Sequence, residues 1–412
     1  MNIELVTIGT ELLLGFTVDT NGAELARALS AVGVRVVQRS SVGDGADGIR
    51  DAVRGALERT GAVLTTGGLG PTRDDITKRV VAELLGVPLE FNDGVWADLV
   101  ERFARLGRTP VASNRSQAEV PRGAAVLRNR WGTAPGLWLE GDRGLVIMLP
   151  GVPGEMRKLI EHEVIPRLAA RGDGRVIRSR LVRTSGIAES TLAERMGDIE
   201  REITPLTLAY LPGLDGVDLR LSAWRLPPDE ADARLAAGAA LLRQRGGEYV
   251  YGQGEADLAE LVLEAARTRG VRLATAESCT GGLVGGRLTE IPGSSDVYLG
   301  GVVCYADSLK TALLGVEPSL LQAHGAVSEA VALAMARGAA ERLGAGAAVA
   351  VTGVAGPGGG SETKPVGTIW FGVAVAGRIE ARHAMLPGDR HAIRARAAQM
   401  ALFLLLRKLR PD

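Results

Sequence analysis

The amino-acid sequence predicts an α/β protein with two three-layer αβα domains joined by a small α+β module. Apolar strands alternate with amphipathic helices in the first part of the 412-residue chain, and the same alternation resumes near residue 255. Between these parts, strands with alternating polar residues are typical of a half-exposed sheet. The predicted domains are therefore residues 1–171, 172–250 and 251–412, a number that fits the chain length.

The first domain is predicted to contain a parallel sheet covered by helices on both faces. The predicted strands are 3–9, 34–42 and 62–66, and the predicted helices are 21–31, 47–59 and one that begins near Asp74. Ligands of such sheets bind at the carboxyl ends of the strands. We therefore expect a site in the turns that follow residues 9, 42 and 66.

The middle module and the last domain have their own predicted elements. The module has strands at 175–184 and 218–224, helical segments at 188–201 and 228–243, and a boundary segment at 243–254. In the last domain the predicted strands are 271–276, 297–305, 347–352 and 366–375, and the predicted helices are 255–269, 281–290, 308–315, 328–343 and 390–409.

Composition argues against several classes of protein. The 48 basic and 48 acidic residues cancel, which disfavours binding of nucleic acids or membranes through overall charge. The two cysteines form no Cys-x-x-Cys pair, and the four histidines lack the spacing of metal ligands. The sequence start has no signal-peptide pattern, and no apolar run reaches the roughly 20 residues that span a bilayer. These features predict a cytoplasmic protein without a membrane segment.

Residues 276–282, Ala-Glu-Ser-Cys-Thr-Gly-Gly, lie between a predicted strand and a predicted helix. The first amides of a helix have no partner within the helix. Ser278 is therefore a candidate nucleophile for attack on a carbonyl group, and the amides around it are candidate donors to the oxyanion. The alternative is a hydroxyl side chain that caps the helix, with glycines that allow close packing.

Lys310 falls in the first turn of the helix after strand 297–305, and Asp307 or Ser308 is predicted to cap that helix. The helix dipole disfavours the protonated, cationic form of a lysine there. A lysine that acts as a general base must be unprotonated, so this position favours that role. Only five of the 48 basic residues are lysines, and an arginine stays protonated and cannot act as a base. Lys310 is thus a candidate base. The alternative is a solvated surface lysine, with Asp307 offsetting the dipole.

A glycine-rich loop, residues 353–360, follows the hydroxyl of Thr352 at a strand end. Such a loop can bring amides to a phosphate, cover a site as a lid or simply connect two strands. Arg390 precedes the last helix, where it can bind an anionic group of a substrate or balance Asp389.

These segments together resemble the competence/damage-inducible protein (CinA) family. The resemblance lies in residues 276–282, Tyr305 with Lys310, residues 324–328 (His-Gly-Ala-Val-Ser), 352–357 (Thr-Gly-Val-Ala-Gly-Pro) and 364–368 (Lys-Pro-Val-Gly-Thr). It implies a C-terminal nicotinamide-nucleotide amidase, which converts nicotinamide mononucleotide to nicotinate mononucleotide and ammonia without a cofactor. It also implies Ser278 as the nucleophile, Lys310 as its base, and Tyr305 and Thr352 as groups that assist proton transfer or polarise the carbonyl. The predicted substrate contacts are Thr280, Gly281, Gly282, Gly353, Gly356 and Arg390.

In the first domain, residues 67–75 (Gly-Gly-Leu-Gly-Pro-Thr-Arg-Asp-Asp) follow the third predicted strand. Glycines there allow a phosphate to approach the backbone, and a helix start behind them favours anions. Asp74 and Asp75 beside that phosphate predict a divalent cation, with Asp44 as a further ligand; the alternative is a pair of helix N-caps. The predicted substrate contacts are Asn21, Gly67, Gly68, Gly70 and Thr72, and further candidates for the cleft are Asn114, Gln117, Pro135 and Gly136.

Two sequence matches are rejected as ligand sites. Residues 43–48 fit the G-x-G-x-x-G pattern of dinucleotide-binding proteins, but they contain two carboxylates where a pyrophosphate would bind. Residues 213–216, Gly-Leu-Asp-Gly, fit the spacing of a KH nucleic-acid clamp, but the aspartate would repel phosphate. A structural role is therefore predicted for the middle module.

Residues 67–75, with 19–21 (Asp-Thr-Asn) and 149–156 (Leu-Pro-Gly-Val-Pro-Gly-Glu-Met), resemble the molybdopterin-binding-like domain of the same family, and the middle module resembles its KH-like insert. The resemblance implies an ADP-ribose pyrophosphatase that forms AMP and ribose 5-phosphate with a divalent metal ion, and it favours a homodimer. The sequence therefore predicts a bifunctional hydrolase with two small-molecule substrates, nicotinamide mononucleotide and ADP-ribose. The alternative is a binding or scaffold protein in DNA uptake and repair.

Overall fold

The computed structural model describes residues 1–410, and the chain forms two compact units. The first unit contains Met1–Arg178 and Ala223–Arg234, and the second contains Ser179–Ser222 and the residues from Leu235 onward. The predicted module 172–250 is divided between these units, and the predicted domain boundaries stay a prediction. No helix among the described residues has the length and apolar character needed to cross a membrane.

The first unit is built on a mixed six-stranded sheet. The strands are β1 (Asn2–Ile8), β2 (Arg35–Val42), β3 (Ala62–Thr66), β4 (Leu89–Phe91), β5 (Glu119–Pro121), β6 (Ala125–Leu127), β7 (Gly136–Gly141) and β8 (Gly144–Leu149). The helices are α1 (Thr10–Leu13), α2 (Asn21–Ala31), α3 (Ala46–Thr60), α4 (Thr77–Leu85), α5 (Asp93–Arg105), α6 (Pro153–Leu159) and α7 (Ile165–Arg171). The sheet order is β2-β1-β3-β8-β7-β6, and β4 pairs with β5 separately.

Strand β1 buries both of its faces, because its side chains alternate between two hydrophobic cores. Val6 packs in a core that contains residues of α3, α4 and α5. Leu5 packs in a second core that contains residues of α2 and α6. Helices therefore lie on both faces of this sheet, which explains why its central strands are almost continuously apolar.

A four-stranded sheet contains β9 (Val176–Thr184), β10 (Thr207–Pro212), β11 (Val217–Leu226) and β12 (Val250–Gln253) in the order β10-β11-β9-β12. Its helices are α8 (Glu189–Met196), α9 (Ile199–Glu202) and α10 (Pro228–Gly246). The predicted boundary segment 243–254 instead completes α10 and contains β12, which pairs with β9. Residues 213–216 form the hairpin turn between β10 and β11, closed by a hydrogen bond from the Gly213 amide to the Gly216 carbonyl at 2.8 Å.

The second large sheet has the order β14-β13-β15-β16-β17. Its strands are β13 (Leu273–Glu277), β14 (Tyr298–Val303), β15 (Ala347–Gly353), β16 (Thr368–Val375) and β17 (Arg378–Met385). The helices are α11 (Leu258–Arg269), α12 (Leu283–Thr289), α13 (Asp307–Leu314), α14 (Pro318–His324), α15 (Glu329–Arg342) and α16 (Arg390–Leu409). In β15, Val349 faces a core with α11 and α16, whereas Ala350 faces a core with α13 and α15.

The prediction of a parallel sheet in the first domain is wrong in part, because both large sheets are mixed. Strands β2, β1, β3 and β8 are parallel, as are β14, β13 and β15, but β6, β7, β16 and β17 run antiparallel to their neighbours. A two-residue connection accounts for two of the antiparallel pairs, β7–β8, joined by residues 142–143, and β16–β17. Ala376 and Gly377, with φ of 50° and 78°, join β16 to β17 in a two-residue turn, which reverses the chain, whereas a parallel neighbour needs a long crossover.

Helix α15 crosses α13 at a glycine, and this contact gives a test of the packing. A Cβ atom at Gly338 would lie 1.9 Å from the carbonyl oxygen of Leu314. We expect Gly338→Ala to lower the free energy of unfolding by about 1–3 kcal/mol, because a helix must shift. In the matched control Gly286→Ala the new Cβ meets nothing within 4 Å, so stability should stay equal or rise by up to about 1 kcal/mol. Urea unfolding measures both, and equal stabilities would contradict the packing described here.

Candidate functional site

Ser278 lies at the carboxyl edge of the second large sheet, between two neighbouring parallel strands. Glu277, the last residue of β13, is in register with Val303 of β14 and Val351 of β15. The Ser278 amide donates to the Val351 carbonyl oxygen at 2.9 Å, and Ser278 is 8% exposed. Thr352 is therefore its neighbour on β15, and the segment after β14 is its neighbour on the other side.

Lys310 is buried beside the end of β14, with 1% of its surface exposed. Its Nζ donates to the carbonyl oxygens of Cys304 and Tyr305 and to Asp307 Oδ1, each at 3.1 Å. Three acceptors match the three donors of an ammonium group, and Ser278 Oγ is not one of them. The interpretation of Lys310 as a solvated surface lysine is wrong. The predicted cap is also wrong, since Asp307 is the first residue of α13 and its carboxylate binds Lys310.

Arg390 joins two of the predicted site segments. Its Nη1 donates to the Gly356 carbonyl oxygen at 2.5 Å, and its Nη2 donates to Tyr305 Oη at 3.2 Å. Asp389 instead caps α16, accepting from the Ala392 amide at 2.8 Å. The predicted substrate contact Arg390 thus meets the predicted catalytic residue Tyr305, which is 62% exposed.

The segment 324–326 contacts both β15 and the connection between β15 and β16. Thr352 Oγ1 donates to the Ala326 carbonyl oxygen at 2.9 Å, and Lys364 Nζ donates to that of His324 at 2.6 Å. The connection is therefore anchored at Lys364, after the glycine-rich residues 353–360, and the role of those residues stays a prediction.

Gly353 and Gly356 have packing reasons for lacking a side chain. A Cβ atom at Gly353 would lie 2.2 Å from Ile369 Cδ1, and one at Gly356 would lie 2.7 Å from Val366 Cγ1. The glycines thus let this loop pack against β16 and the segment before it. Their contact with a substrate stays a prediction.

The expectation of unpaired amides at the start of α12 is wrong. The carboxylate of Glu277 accepts hydrogen bonds from the amides of Gly282 at 2.9 Å, Val284 at 3.1 Å and Gly285 at 2.8 Å. Glu277 was not singled out in the sequence, although an acidic residue close before a helix start is a usable signal for such a cap.

Arg394 is a second residue that the sequence analysis missed. From α16, its Nε donates to the Cys279 carbonyl oxygen at 3.0 Å and its Nη2 to that of Thr280 at 2.8 Å. Gly281 and Gly282 have φ of 62° and 97°, which explains the two glycines of the turn. No local pattern could have found Arg394, because the contact joins residues more than a hundred positions apart.

Burial raises the pKa of the Cys279 thiol, next to Ser278, to about 12. A thiolate is the nucleophilic form of cysteine, so Cys279 is a poor nucleophile near neutral pH. Ser278 is therefore the better candidate of the two.

In the first unit, the loop after β3 is fixed by contacts within the protein. A Cβ atom would lie 2.1 Å from the Ile8 carbonyl oxygen at Gly67 and 2.0 Å from Thr77 Oγ1 at Gly68. Thr77 Oγ1 also donates to the Gly67 carbonyl oxygen at 3.0 Å. These contacts alone require both glycines, so their presence does not by itself indicate a phosphate.

Thr72 interacts with both predicted metal-binding aspartates. Its amide donates to Asp75 Oδ2 at 2.9 Å and its hydroxyl donates to the same oxygen. A hydrogen bond with Thr72 also lowers the pKa of the Asp74 carboxyl group. Helix α4 begins only at Thr77 and has no side-chain cap. The predicted helix start near Asp74 and the alternative of two N-caps are therefore wrong, because Asp75 closes a turn with Thr72 instead.

Asp44 binds Thr10, since its Oδ2 accepts from the Thr10 amide at 2.9 Å and from the hydroxyl at 2.7 Å. Within residues 1–410 there is no group of three or more His, Cys, Asp or Glu side chains that could hold a metal ion. Asp44 is thus not joined with Asp74 and Asp75 in a three-carboxylate site. The latter two fit a Mg²⁺-type ion, which proteins often hold with one or two carboxylates plus substrate phosphates.

Asn21 links α2 to two loops at the edge of the first sheet. Its Nδ2 donates to the Gly151 carbonyl oxygen at 2.8 Å and to Thr66 Oγ1 at 3.4 Å. Its Oδ1 is buried and has no partner in the described part of the chain. That oxygen is an acceptor still available for a donor group.

The further cleft candidates form their own hydrogen-bonded group. Asn114 Nδ2 donates to Gln117 Oε1 at 3.0 Å, and Gln117 Nε2 donates to Thr133 Oγ1 at 3.1 Å. Thr133 and Pro135 line a cavity of about 490 Å³ beside α5. Gly136 is the first residue of β7, at the end of the same segment.

Comparisons with known proteins cover nearly the whole chain. Residues 4–170 match the family described as a probable molybdopterin binding domain, residues 179–252 the damage-inducible protein CinA KH domain, and residues 255–409 the CinA C-terminal domain. A CinA-like protein of Gemmatimonas aurantiaca is 54% identical over 411 residues, which are 99% of this chain and 96% of that protein. The chain belongs to the CinA family. This confirms the resemblance stated from the sequence.

Two other proteins are similar to this chain. A putative competence-damage inducible protein of Symbiobacterium thermophilum is 47% identical over 422 residues, covering 99% of each chain. The crystal structure of a competence-damaged protein (CinA) superfamily protein from Klebsiella pneumoniae is 39% identical, with a TM-score of 0.36, and covers 37% of this chain and 98% of that chain.

Lys78 of α4 is a buried lysine of the first unit, and its Nζ donates to the Ser116 carbonyl oxygen. Burial lowers its pKa from the ordinary 10.5 to about 8. The folded protein therefore loses this proton at a lower pH than the unfolded chain does. As a result, the free energy of unfolding rises as the pH increases from about 8 to 10.5. Lys78→Met removes this dependence.

The wild type should thus gain roughly 2–4 kcal/mol of stability relative to Lys78→Met between pH 7 and pH 10.5. Denaturant midpoints across this range measure the difference. Lys158→Met, at an exposed lysine, is the matched control and should follow the wild-type curve. Parallel curves for the wild type and Lys78→Met would show that burial does not disfavour the charged form of Lys78.

Proposed function

We propose that this CinA family protein is a bifunctional hydrolase of pyridine nucleotides. Its C-terminal site would hydrolyse nicotinamide mononucleotide to nicotinate mononucleotide and ammonia, and its N-terminal site would hydrolyse ADP-ribose to AMP and ribose 5-phosphate. The main support for the amidase activity is the position of Ser278. It lies between Thr352 on one side and, on the other, the segment whose carbonyl groups bind the buried Lys310. The family resemblance supplies the identity of the substrates.

In the amidase reaction, Lys310 would first lose one of the three protons that it donates in the structure. Ser278 Oγ then attacks the carboxamide carbon while its proton passes to Lys310 Nζ. The C–N bond then breaks, and the same proton leaves with the ammonia. Water hydrolyses the resulting ester and regenerates Ser278. Arg390 offers a guanidinium group for the substrate phosphate, and Tyr305 and Thr352 supply hydroxyl groups at the strand ends.

In the pyrophosphatase reaction, Asp74 and Asp75 would hold a divalent cation together with the substrate phosphates. When bound, such an ion neutralises charge that develops on the phosphate oxygens. Residues 67–72 would lie against the pyrophosphate, and Asn21 would contact the substrate through its unpartnered Oδ1. Asp44 would be a further ligand, and its Oδ2 accepts two hydrogen bonds from Thr10 just as Asp75 Oδ2 does from Thr72.

The remaining features of the proposal concern the whole protein. We place the amidase in residues 251–412 and the pyrophosphatase in 1–171, each as a three-layer αβα domain, with 172–250 as a KH-like module of structural role. The protein would act in the cytoplasm as a homodimer. The balanced charge of 48 basic and 48 acidic residues favours small-molecule substrates over nucleic acid.

Ser278→Ala should lower ammonia release from nicotinamide mononucleotide at least ~10³-fold, because the attacking oxygen is lost. Lys310→Arg should cause a similar loss, since a guanidinium donates hydrogen bonds but accepts no proton. The matched controls Ser319→Ala and Lys408→Arg, at exposed positions, should keep wild-type rates. A coupled ammonia assay measures kcat. Ser278→Ala with more than about a tenth of the wild-type kcat would exclude Ser278 as the nucleophile.

The double variant Asp74→Asn, Asp75→Asn should lose at least ~10²-fold in AMP formation from ADP-ribose with Mg²⁺ or Mn²⁺, because both carboxylate ligands are neutralised. Ammonia release by the same protein should be unchanged, which serves as an internal control for folding. Asp142→Asn, in the exposed turn between β7 and β8, is the matched control. Full AMP formation by the double variant would rule out these aspartates as the metal site.

A further inference from the structure

The turn of residues 278–282 sets the direction of the Ser278 side chain. Ser278 is its first residue, and its carbonyl oxygen accepts from the Gly281 amide at 3.1 Å. The next residue, Gly282, also has a left-handed backbone, and α12 begins directly after it. Glycine-rich turns have many accessible conformations, so one conformation must be selected by contacts from outside the turn.

Glu277 holds this turn from the side of β13. It precedes the turn and is 2% exposed, and its carboxylate accepts from three amides at or beyond the far end of the turn, on residues 282, 284 and 285. A buried carboxylate is costly unless it is hydrogen-bonded, and three donors satisfy that requirement. The carboxylate therefore joins the start of the turn to its end and fixes their separation.

Arg394 holds the same turn from the side of α16. Its planar guanidinium donates to two successive carbonyl oxygens, those of Cys279 and Thr280. Because a peptide unit is planar, fixing both carbonyls fixes the two peptide planes that follow the Ser278–Cys279 unit. Thr280 itself is 0% exposed, and its contact with Arg394 is partly buried.

We infer that Glu277 and Arg394 are positioning residues that hold Ser278 in its reactive orientation, an inference that rests on the proposed amidase function. Neither side chain acts in the chemistry itself. Both oxygens of Glu277 are engaged by amides of α12 and the residue before it, and Arg394 is engaged by the turn. Their effect is on the geometry of attack, where small displacements of a nucleophile cost large factors in rate.

Three variants separate this role from a general effect on folding. In Glu277→Gln, one carboxylate oxygen becomes an NH₂ group that faces amide donors, so at least one of the three hydrogen bonds is lost. Arg394→Lys keeps the charge but cannot reproduce the two-pronged contact, and Arg394→Ala removes it. We expect kcat for ammonia release to fall about 10- to 100-fold in Glu277→Gln. The kcat of Arg394→Lys should also fall, but by a smaller factor than that of Arg394→Ala. In all three variants KM should stay within about threefold of the wild-type value.

The full-length protein is used throughout, with kcat, KM and the thermal midpoint measured for each variant. Glu264→Gln on α11 and Arg407→Lys on α16 are matched controls at exposed or half-exposed positions and should behave as wild type. An unchanged kcat in Glu277→Gln and Arg394→Ala would overturn the inference. A loss of activity that is fully accounted for by the fraction of unfolded protein would also overturn it. If Glu277→Gln does not fold, the two Arg394 variants decide by the same criteria.

A second measurement does not depend on the substrate. A fluorophosphonate probe forms a bond between phosphorus and Ser278 Oγ as fluoride leaves, and the labelling rate reports how well that oxygen is oriented. If the wild type released no ammonia from nicotinamide mononucleotide, the proposed function would fail. Slower labelling of the Glu277 and Arg394 variants would still support the positioning role, whereas labelling at the wild-type rate would overturn it.

Discussion

Parallel pairing of three strands is the constraint on which the candidate amidase site depends. Strands β14, β13 and β15 end at one edge, and the register that joins Glu277 to Val303 and Val351 brings three separate chain segments together there. A shift of one residue would turn the side chains of a whole strand to the opposite face. The two cores that β15 fills with valine on one face and alanine on the other make such a shift costly, so the packing of the sheet also sets the position of Ser278.

Lys310 is buried at the same edge of the sheet, where the chain leaves β14. An ammonium group can be buried only where acceptors replace its water, and residues 304–307 after β14 supply two carbonyl oxygens and a carboxylate. Lys78 shows a contrasting case in the first unit, where burial with one carbonyl acceptor lowers the pKa to about 8. The two buried lysines therefore differ in the number of acceptors around Nζ.

Sequence periodicity located α2 at Asn21–Ala31 and β3 at Ala62–Thr66 to the residue, because each shows a strong pattern between clear boundaries. Strand direction in the first sheet was mistaken because alternating elements favour crossovers, and residues 142–143 between β7 and β8 lack the usual Asn-Gly signal for a hairpin. Strand β17 was not predicted, because the turn Ala376-Gly377 also lacks that signal. The candidate residues Ser278, Lys310 and Asp75 could be found from the sequence because each follows the end of a predicted strand. Contacts between distant parts of the chain, such as that of Arg394 with the turn, have no local signature and needed the structure.

Helix starts were the predicted anion sites of both large domains, and in both the protein's own side chains change that expectation. In the second unit, Glu277 takes three amides around the start of α12, so a negatively charged group of a substrate would be repelled there. In the first unit, Asp75 closes a turn before α4 and adds a second negative charge to that of Asp74. If each site takes a phosphate, as we propose, a cationic group would bind it better than the helix start: Arg390 in the second unit, and in the first a divalent cation that Asp74 and Asp75 would hold.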